Sequence, residues 1–214
     1  MAGKKKAVVE GGRQAAYSAR NRAALLRAGQ EVLAEIGPSA TIEQLASHAQ
    51  VSPTTIYKYF ENKDVLFIQA MGEMWMSWLQ WASQEKAPGS RFEMTLDTGR
   101  KLFWARKTHP LFADMLHNSL EQMPTFLVLA DQGVGRKVFS EIAATGEIKK
   151  DDFDQRYILW TNTYTGLLKS VFVYEELTPE QANTAFGIGL SVWGITDAKA
   201  KKIVSRPLVF PLAQ

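Results

Sequence analysis

Apolar residues near the N-terminus recur at spacings of three and four residues, the period at which side chains share one face of a helix. This row predicts a helix over about 25–36 that ends at Gly37-Pro38, because glycine and proline terminate helices. The row comprises Leu25, Ala28, Gly29, Val32, Leu33 and Ile36.

Two capping signals follow this helix. Thr41, with Gln44 three residues later, has the form of a capping box and predicts a short helix over about 41–48. Ser52-Pro53 places an N-cap serine before a proline at the first helical position. It predicts a second short helix over 52–60.

The rest of the chain keeps the helical pattern and carries no alternating β pattern of any length. Asn62 caps a predicted helix from Lys63 to about Trp81, and proline-containing breakers separate the segments beyond it. These segments are 91–107, 111–122, 125–146, 152–176 and 179–197. With no internal repeat or low-complexity tract, the sequence predicts an all-α protein.

The composition is that of a globular chain with a sizeable core. The chain has 214 residues, of which 46% are hydrophobic and 22% charged, and this excludes disorder, collagen and a coiled-coil rod. The most apolar region, 157–174, is interrupted by Asn162 and Lys169, and no apolar run follows the basic N-terminus. We therefore expect a cytoplasmic protein without a membrane span or a secretory signal.

The net charge of +3 is unevenly distributed along the chain. Residues 1–60 carry eight basic and four acidic residues, whereas residues 61–214 carry seventeen basic and eighteen acidic ones. A basic arm before a compact module is typical of a protein that binds nucleic acid, and a solvated tail that aids solubility is the alternative. Because residues 1–19 lack an apolar pattern, we expect this arm to be flexible.

The two short helices, joined by three residues and preceded by a longer helix, have helix-turn-helix proportions. The positions expected to pack among them are Ile42, Leu45, Ala46, Ala49, Val51, Ile56 and Phe60. The second short helix then presents hydroxyls, aromatic rings and a lysine, which suit base edges and phosphates in a major groove. These are Thr54, Thr55, Tyr57, Lys58 and Tyr59.

The stretch Thr41 to Phe67, TIEQLASHAQVSPTTIYKYFENKDVLF, resembles the TetR family of transcriptional regulators. The shared elements are the capping threonine, Val51-Ser52, Tyr-x-Tyr-Phe over 57–60 and Asn-Lys-x-x-Leu over 62–66. The resemblance covers residues 20–67 directly. It implies a DNA-binding transcriptional regulator with a helical body.

Carried over residue by residue, the resemblance implies two sets of DNA contacts. Phosphate contacts are expected from Thr41, Tyr57, Tyr59 and Lys63, and the groove-facing surface from Ser52, Pro53, Thr54, Thr55 and Lys58. The family often has glycine where Gln50 and Thr54 stand. Gln50 should cost little if the backbone angles of the turn are ordinary. Thr54 places a branched side chain where the family's backbone usually approaches DNA, so the operator sequence of a relative cannot be assumed for this protein. A helical hairpin that only packs is the alternative.

The resemblance also implies an organisation in three parts. These are the basic arm over 1–19, a helix-turn-helix DNA-binding domain over 20–66 and a helical effector-binding and dimerisation domain over 67–214. Such regulators are homodimers, and 152–176 and 179–197 carry apolar rows suited to a dimer interface. The expected interface residues are Tyr157, Leu167, Val171, Phe186, Gly189 and Trp193. Packing of these rows inside one monomer is the alternative.

Aromatic and thioether side chains are concentrated in the predicted body of a chain that has six tryptophans and seven methionines. Such side chains line adaptable apolar pockets, although the same pattern also forms ordinary core. The candidate ligand-binding residues are Met71, Met74, Trp75, Trp78, Phe103, Trp104, Phe112, Leu116, Phe126, Trp160 and Tyr164. We expect a mostly apolar effector, either aromatic or acyl.

The sequence offers little for catalysis. It has no cysteine and three scattered histidines, and no nucleophile–base pair or metal-ligand set stands at a recognisable spacing. We therefore expect no enzyme, no cofactor and no metal; a helical adaptor that binds protein through its N-terminal module is the other rival. The favoured hypothesis is a homodimeric repressor that a small apolar ligand releases from a palindromic site in double-stranded DNA.

Overall fold

The first helix extends much further toward the N-terminus than its apolar row indicates, since α1 spans Ala2–Glu35. The computed structural model of the protein describes residues 2–121 and 133–211, with side chains from residue 14 onward. Helical backbone thus begins at Ala2, within the expected arm over 1–19, and the flexibility of that arm stays a prediction. Residues 2–24 contain no proline, so that stretch lacks the strongest terminator of a helix.

Short connections lead from α1 through α2 (Ile42–His48) and α3 (Pro53–Tyr57) into the long helix α4 (Lys63–Ala82). α1 ends at the predicted place, where Gly37 adopts a φ of +87° that a side chain would disfavour. α3 is shorter than the predicted 52–60, because its last residues form a turn and not a further helical turn.

The three-helix head packs largely as predicted. Leu45, Ala46, Ile56 and Phe60 are buried, and the other predicted positions of the set are half-buried against them. α1 and α4 cross closely at Gly29, where an added Cβ would lie 2.5 Å from a methyl carbon of Leu66. The head therefore folds around the row of apolar residues that the sequence indicates.

The body consists of helices throughout its described residues, and the prediction of an all-α fold is confirmed. Its α-helices are α5 (Arg91–Lys101), α6 (Ala105–Thr108), α7 (Pro110–Ser119), α8 (Val134–Thr145), α9 (Phe153–Phe172), α10 (Pro179–Gly189) and α11 (Asp197–Val204), with 3₁₀ turns at Leu102–Trp104 and Leu190–Trp193. α11 was missed by the sequence analysis, although Thr196 caps it by accepting a hydrogen bond from the amide of Lys199.

Buried charges fix α5 to its surroundings on two sides. The Arg100 guanidinium donates to the carboxylate of Asp97 at 2.8 Å and to the carbonyl oxygen of Ile203 at 3.1 Å, which ties α5 to α11. Burial lowers the pKa of Arg100, and the Asp97 carboxylate opposes that shift. Lys101 is also buried, and its ammonium donates to the carbonyl oxygen of Ala82 at 2.7 Å, which caps the C-terminus of α4.

The residues expected at a dimer interface face the interior of their own chain. Phe186, Trp193 and Val171 are buried, and Tyr157 and Leu167 pack half-buried against the same core. Gly189, the sixth of the set, approaches α9 of its own chain, since a Cβ there would lie 3.0 Å from a methyl carbon of Thr163. Within one chain, the rows of α9 and α10 therefore pack into the core of the monomer, and the assignment of these residues to a dimer interface stays a prediction.

The head is joined to the body through α7 as well as through α4. α7 packs along α1, and the amide of the Asn118 side chain donates to the carbonyl oxygen of Ala34 at 2.6 Å. Gly37 lies against the same residue, because a Cβ there would come within 2.9 Å of the Asn118 carbonyl oxygen. The end of α1 is thus seated directly on the body.

Candidate functional site

Side-chain caps at the start of each helix define the geometry of the helix-turn-helix. The Thr41 hydroxyl accepts from the amide of Gln44 at 3.2 Å, and the Gln44 side-chain oxygen accepts from the amide of Thr41 at 2.7 Å. Ser52 accepts from the amide of Thr55 at 3.2 Å at the start of α3. These reciprocal bonds satisfy amides that a helix N-terminus otherwise leaves unpaired.

The turn between α2 and α3 depends on a left-handed residue. Gln50 has a φ of +54°, its amide donates to the carbonyl oxygen of Ser47, and that of Val51 donates to the carbonyl oxygen of Ala46. This pair of bonds is a Schellman motif, in which the left-handed position usually holds glycine. The turn's angles are therefore not ordinary for glutamine, and Gln50 carries a backbone cost.

α3 presents a compact polar surface to solvent. Thr54 and Lys58 are exposed, as is Tyr57, of which 54% is accessible. Ile56 holds the opposite side of the helix in the core. The outer side thus offers a hydroxyl, a phenol and an ammonium, which can contact base edges, thymine methyl groups and phosphates.

Other residues of the predicted DNA-binding set have partners within the protein. Ser52 and Thr55 share a hydrogen bond of 2.9 Å between their hydroxyls, beside the half-buried Pro53. The Tyr59 hydroxyl accepts from the Asn21 side chain at 3.1 Å. The Lys63 ammonium donates to two carbonyl oxygens of the connection between α1 and α2. These side chains frame the exposed surface of α3 and shape its position.

The body encloses a cavity of about 540 Å³ between α4, α5, α8, α9 and α10. That volume is typical of a site for a small organic molecule. Seven aromatic rings contribute to its wall: Trp75, Trp78, Phe139, Tyr157, Trp160, Tyr164 and Phe186. A second, wider groove is lined by α4 and by Ser83 among the described residues, and it lies open along one face of that helix.

Four of the predicted ligand-binding residues line this cavity, namely Trp75, Trp78, Trp160 and Tyr164. The other described ones do not. Met71, Phe103, Phe112 and Leu116 are buried core, whereas Met74 and Trp104 are half-buried outside the lining. Phe126 lies outside the described residues. The aromatic stripe of α4 is therefore both core and cavity wall, depending on which side of the helix a residue occupies.

Several lining residues were missed by the sequence analysis. Val138 and Phe139 enter from α8, and Leu96 and Thr98 enter from α5. The apolar positions of α8 recur at helical spacing, but this pattern alone does not distinguish a cavity wall from core. Tyr157 and Phe186 were assigned to a dimer interface, and the structure brings them to the cavity.

The aromatic part of the cavity wall also carries polar groups. The Tyr164 hydroxyl donates to the carbonyl oxygen of Gly99 at 2.8 Å, and burial strongly raises the pKa of this phenol, so it stays neutral. The indole N–H groups of Trp75 and Trp78 are buried without a hydrogen-bond partner. The site can hold a mostly apolar ring system by shape and stacking.

Two further observations on the described residues concern membrane spans and metal sites. None of the helices in the described part of the chain is both long and apolar enough to span a bilayer. Within the same residues, histidine and carboxylate side chains form no group of three that could hold a metal ion.

Comparisons with known proteins agree with this geometry. Residues 25–70 match the model of the bacterial regulatory proteins of the tetR family. RolR in complex with resorcinol has a similar structure, with a TM-score of 0.70 and 18% identity over 94% of this chain and 100% of RolR. Ligand-free RolR gives a TM-score of 0.68 at 18% identity, covering 90% and 100%.

A TetR-like transcriptional regulator from Rhodococcus sp. RHA1 aligns with a TM-score of 0.51 and 20% identity, over 81% of this chain and 93% of the regulator. No curated protein sequence matches the chain significantly. The helix-turn-helix geometry and the match over 25–70 identify this segment as the DNA-binding domain of the tetR family of bacterial regulatory proteins, and the chain as a whole shares the all-helical fold of these solved regulators.

Proposed function

We propose that this protein is a homodimeric repressor that binds a palindromic DNA operator and is released from it by a small aromatic, mostly apolar ligand. The observation that carries the proposal is that one helix serves both sites. α4 begins at Lys63 beside the helix-turn-helix, and its second half supplies Trp75 and Trp78 to the cavity. Lys63 and Trp75 are about 18 Å apart along this helix.

The exposed surface of α3 supports DNA binding. Thr54, Tyr57 and Lys58 project from a helix whose opposite side is anchored by Ile56. Thr41 and Lys63 stand at neighbouring helix N-termini, where phosphate is favoured. In this proposal, the outer side of α3 contacts base edges in the major groove. Tyr57, Lys58 and the flanking helix N-termini contact phosphates.

The aromatic cavity supports a ligand-responsive role. RolR, whose fold this chain shares, is a protein that binds resorcinol, and a dihydroxybenzene is of the size and chemistry that the seven-ring wall here accommodates. A mostly apolar aromatic molecule would bury its faces against Trp75, Trp160 and Tyr164. Such a ligand is the proposed effector.

Two packed routes lead from the cavity to the head. α4 is the first, and α7 is the second: the Phe112 ring lies 6.2 Å from the ring of Trp75 and 5.9 Å from that of Trp78. α7 in turn bonds to Ala34 near the end of α1. A ligand that binds one arrangement of these helices better than the other shifts the population toward head positions that no longer match the operator.

The outward side of α9 and α10 supports a homodimer. Leu159 is 56% exposed and Ile188 is 74% exposed on two helices that pack against each other. Gly166 lies on the same side of α9 as Leu159, with no atom within 4 Å of an added Cβ. A glycine inside a helix costs roughly 1 kcal/mol relative to alanine, and close approach of a partner helix would offset that cost.

Selection of bound sequences from random duplex DNA by the purified protein tests the proposal directly. The expected result is enrichment of one inverted repeat, which the protein binds as a dimer and leaves when an aromatic ligand is added. Resorcinol is the first ligand to add. Failure to enrich any sequence, with the protein folded and with or without resorcinol, would contradict the DNA-binding role.

A further inference from the structure

The charge of the cavity wall has one sign. The described residues that line the cavity include Lys86 and Arg136 but no aspartate or glutamate. Arg136 forms an ion pair with Asp154, which lies outside the lining. Lys86 is half-buried, and among the described residues no carboxylate pairs with it. The positive end of the α8 dipole adds the same sign at Gly133 and Val134.

An unpaired ammonium beside an aromatic wall has a preferred ligand. A lysine is a donor without acceptor capacity, and hydrogen bonds between ionised groups are stronger than neutral ones. The hydroxyl of Ser83, another lining residue, is a further donor for an anion, whereas the hydroxyls of Thr95 and Thr161 already donate to the carbonyl oxygens of Arg91 and Ile158. Low polarity around the rings strengthens such an interaction relative to water.

The arrangement of aromatic rings in the cavity wall restricts the shape of the ligand. The rings of Trp160 and Tyr164 lie within 10° of parallel, and Trp75 and Trp78 pack together at 5.5 Å between ring centroids. A planar ring system can lie against such surfaces, whereas a branched aliphatic chain makes poorer use of them.

We infer that the effector of the proposed regulator is a planar aromatic carboxylate, whose acid group meets Lys86 at the mouth of the cavity while its rings occupy the aromatic interior. This inference rests on the proposed function and names the chemical class of its ligand. It goes beyond resorcinol, which is uncharged at neutral pH, because it assigns a specific role to the unpaired ammonium.

A cationic aromatic ligand is the main rival, since tryptophan and tyrosine faces attract cations. At one lining ring the protein's own guanidinium already occupies that position, because Arg136 lies 5.7 Å from the ring centroid of Tyr157 and 5.5 Å from that of the neighbouring Phe153. A second cation would meet two positive side chains and, among the described lining residues, no carboxylate. The wall therefore favours an anion.

Three near-isosteric probes separate these possibilities: 2-naphthoate, 2-naphthamide and 2-naphthamidine, which are anionic, neutral and cationic. We expect calorimetry on the full-length protein to show 2-naphthoate binding about tenfold more tightly than 2-naphthamide, since an ion pair at a half-buried site contributes on the order of 1.4 kcal/mol. The cation should bind most weakly. Lys86→Met should abolish the preference for the anion while leaving the affinity for 2-naphthamide unchanged.

Two further variants test whether the preference for the anion comes from Lys86 and whether the probes bind in the cavity. Lys137→Met removes an exposed charge next to Arg136 that does not line the cavity, and it should keep the tenfold preference. Gly99→Leu should weaken all three probes, because an added side chain at Gly99 grows into the cavity.

The outcomes distinguish this inference from the proposed function. Equal affinity for the acid and the amide, or a preference that survives Lys86→Met, would overturn the carboxylate assignment while a ligand-binding cavity still stood. Binding of the amidine above the acid would do the same. If none of the three probes binds to the folded protein, both the carboxylate assignment and the aromatic-ligand proposal are overturned.

Discussion

The ammonium of Lys63 lies 2.8 Å from the carbonyl oxygen of Ala40, to which it donates a hydrogen bond. A second bond of 3.0 Å reaches the carbonyl oxygen of Pro38. The first residue of α4 thus fastens the connection between α1 and α2 and leaves one of three donors for a phosphate. Lys63 has a structural role in the head beside its proposed role toward DNA.

This double role predicts a difference between two lysines. Lys63→Ala should weaken DNA binding and also lower the free energy of unfolding by about 1 kcal/mol, because two carbonyl oxygens lose a charged donor. Lys58→Ala should weaken DNA binding alone, since Lys58 is exposed, and should make the salt dependence of affinity shallower by about one unit of slope. Thermal unfolding and DNA titrations across salt concentrations measure both effects.

Equal stability of the two variants would show that the Lys63 bonds contribute nothing measurable to the head. An unchanged salt slope for Lys58→Ala would instead place that lysine outside the phosphate contacts.

The left-handed turn at Gln50 predicts that glycine is better there. Gln50→Gly should stabilise the protein by about 1 kcal/mol, because a residue with a Cβ pays a steric cost of about that size in the left-handed region. For a chain of this length the midpoint of thermal unfolding should rise by about 2–4 °C. Gln50→Ala keeps the Cβ and should give no gain. A similar rise in both variants would assign the effect to the glutamine side chain and not to the backbone.

Much of the head could be predicted from the sequence because its signals are local. Thr41, Ser52 and Asn62 begin helices at the predicted residues, and each caps its own helix three residues on. Capping depends on neighbours in sequence, so no knowledge of tertiary contacts is needed. The left-handed angle at Gln50 was not predicted from the glutamine itself, and the only signal for it was the glycine that the family often has at this position.

The cavity could be predicted only in part, because it depends on which sides of five helices meet. The spacing of Tyr157, Trp160 and Tyr164 shows that they share a side of α9, but not whether α8, α10 or a second subunit covers that side. Tyr157 was expected to contact a partner subunit and the other two a ligand, whereas all three line one cavity. The spacing of apolar residues identifies the apolar side of a helix, but it does not show which element packs against that side.

The environment of His109 predicts a loss of stability in mild acid. The ring lies 4.3 Å from that of Trp81, and its Nδ1 is buried without a hydrogen-bond partner. Burial lowers the pKa of this histidine below its usual 6.5. The unfolded chain therefore takes up the proton first as the pH falls below about 6.5, and the free energy of unfolding decreases through that window.

Urea unfolding at pH 7.5 and at pH values below 6.5 measures this loss. His109→Phe keeps an aromatic ring against Trp81 and removes the titrating group, so its stability should fall less over the same range. If wild type and variant lose stability in parallel, other groups account for the acid sensitivity.

Gly166, the exposed glycine of α9, is the position at which we expect a substitution to disrupt the proposed dimer most strongly. Gly166→Leu should convert the dimer to monomer at micromolar concentration, because a leucine would separate two helices that meet at this position in the proposed interface. The monomer itself should stay folded, since an added Cβ at Gly166 meets no atom within 4 Å and leucine favours a helix more than glycine does. Sedimentation velocity and circular dichroism measure the two properties.

Ser140→Leu is the matched control, because it adds a side chain of the same kind to an exposed position of α8. It should leave the dimer intact. Ile188→Asp, on the neighbouring helix, should dissociate the dimer as Gly166→Leu does, since a carboxylate would replace the most exposed large apolar side chain of this surface. A dimer that survives both Gly166→Leu and Ile188→Asp must use a different surface, and the outward side of α9 and α10 would then need another explanation for its apolar residues.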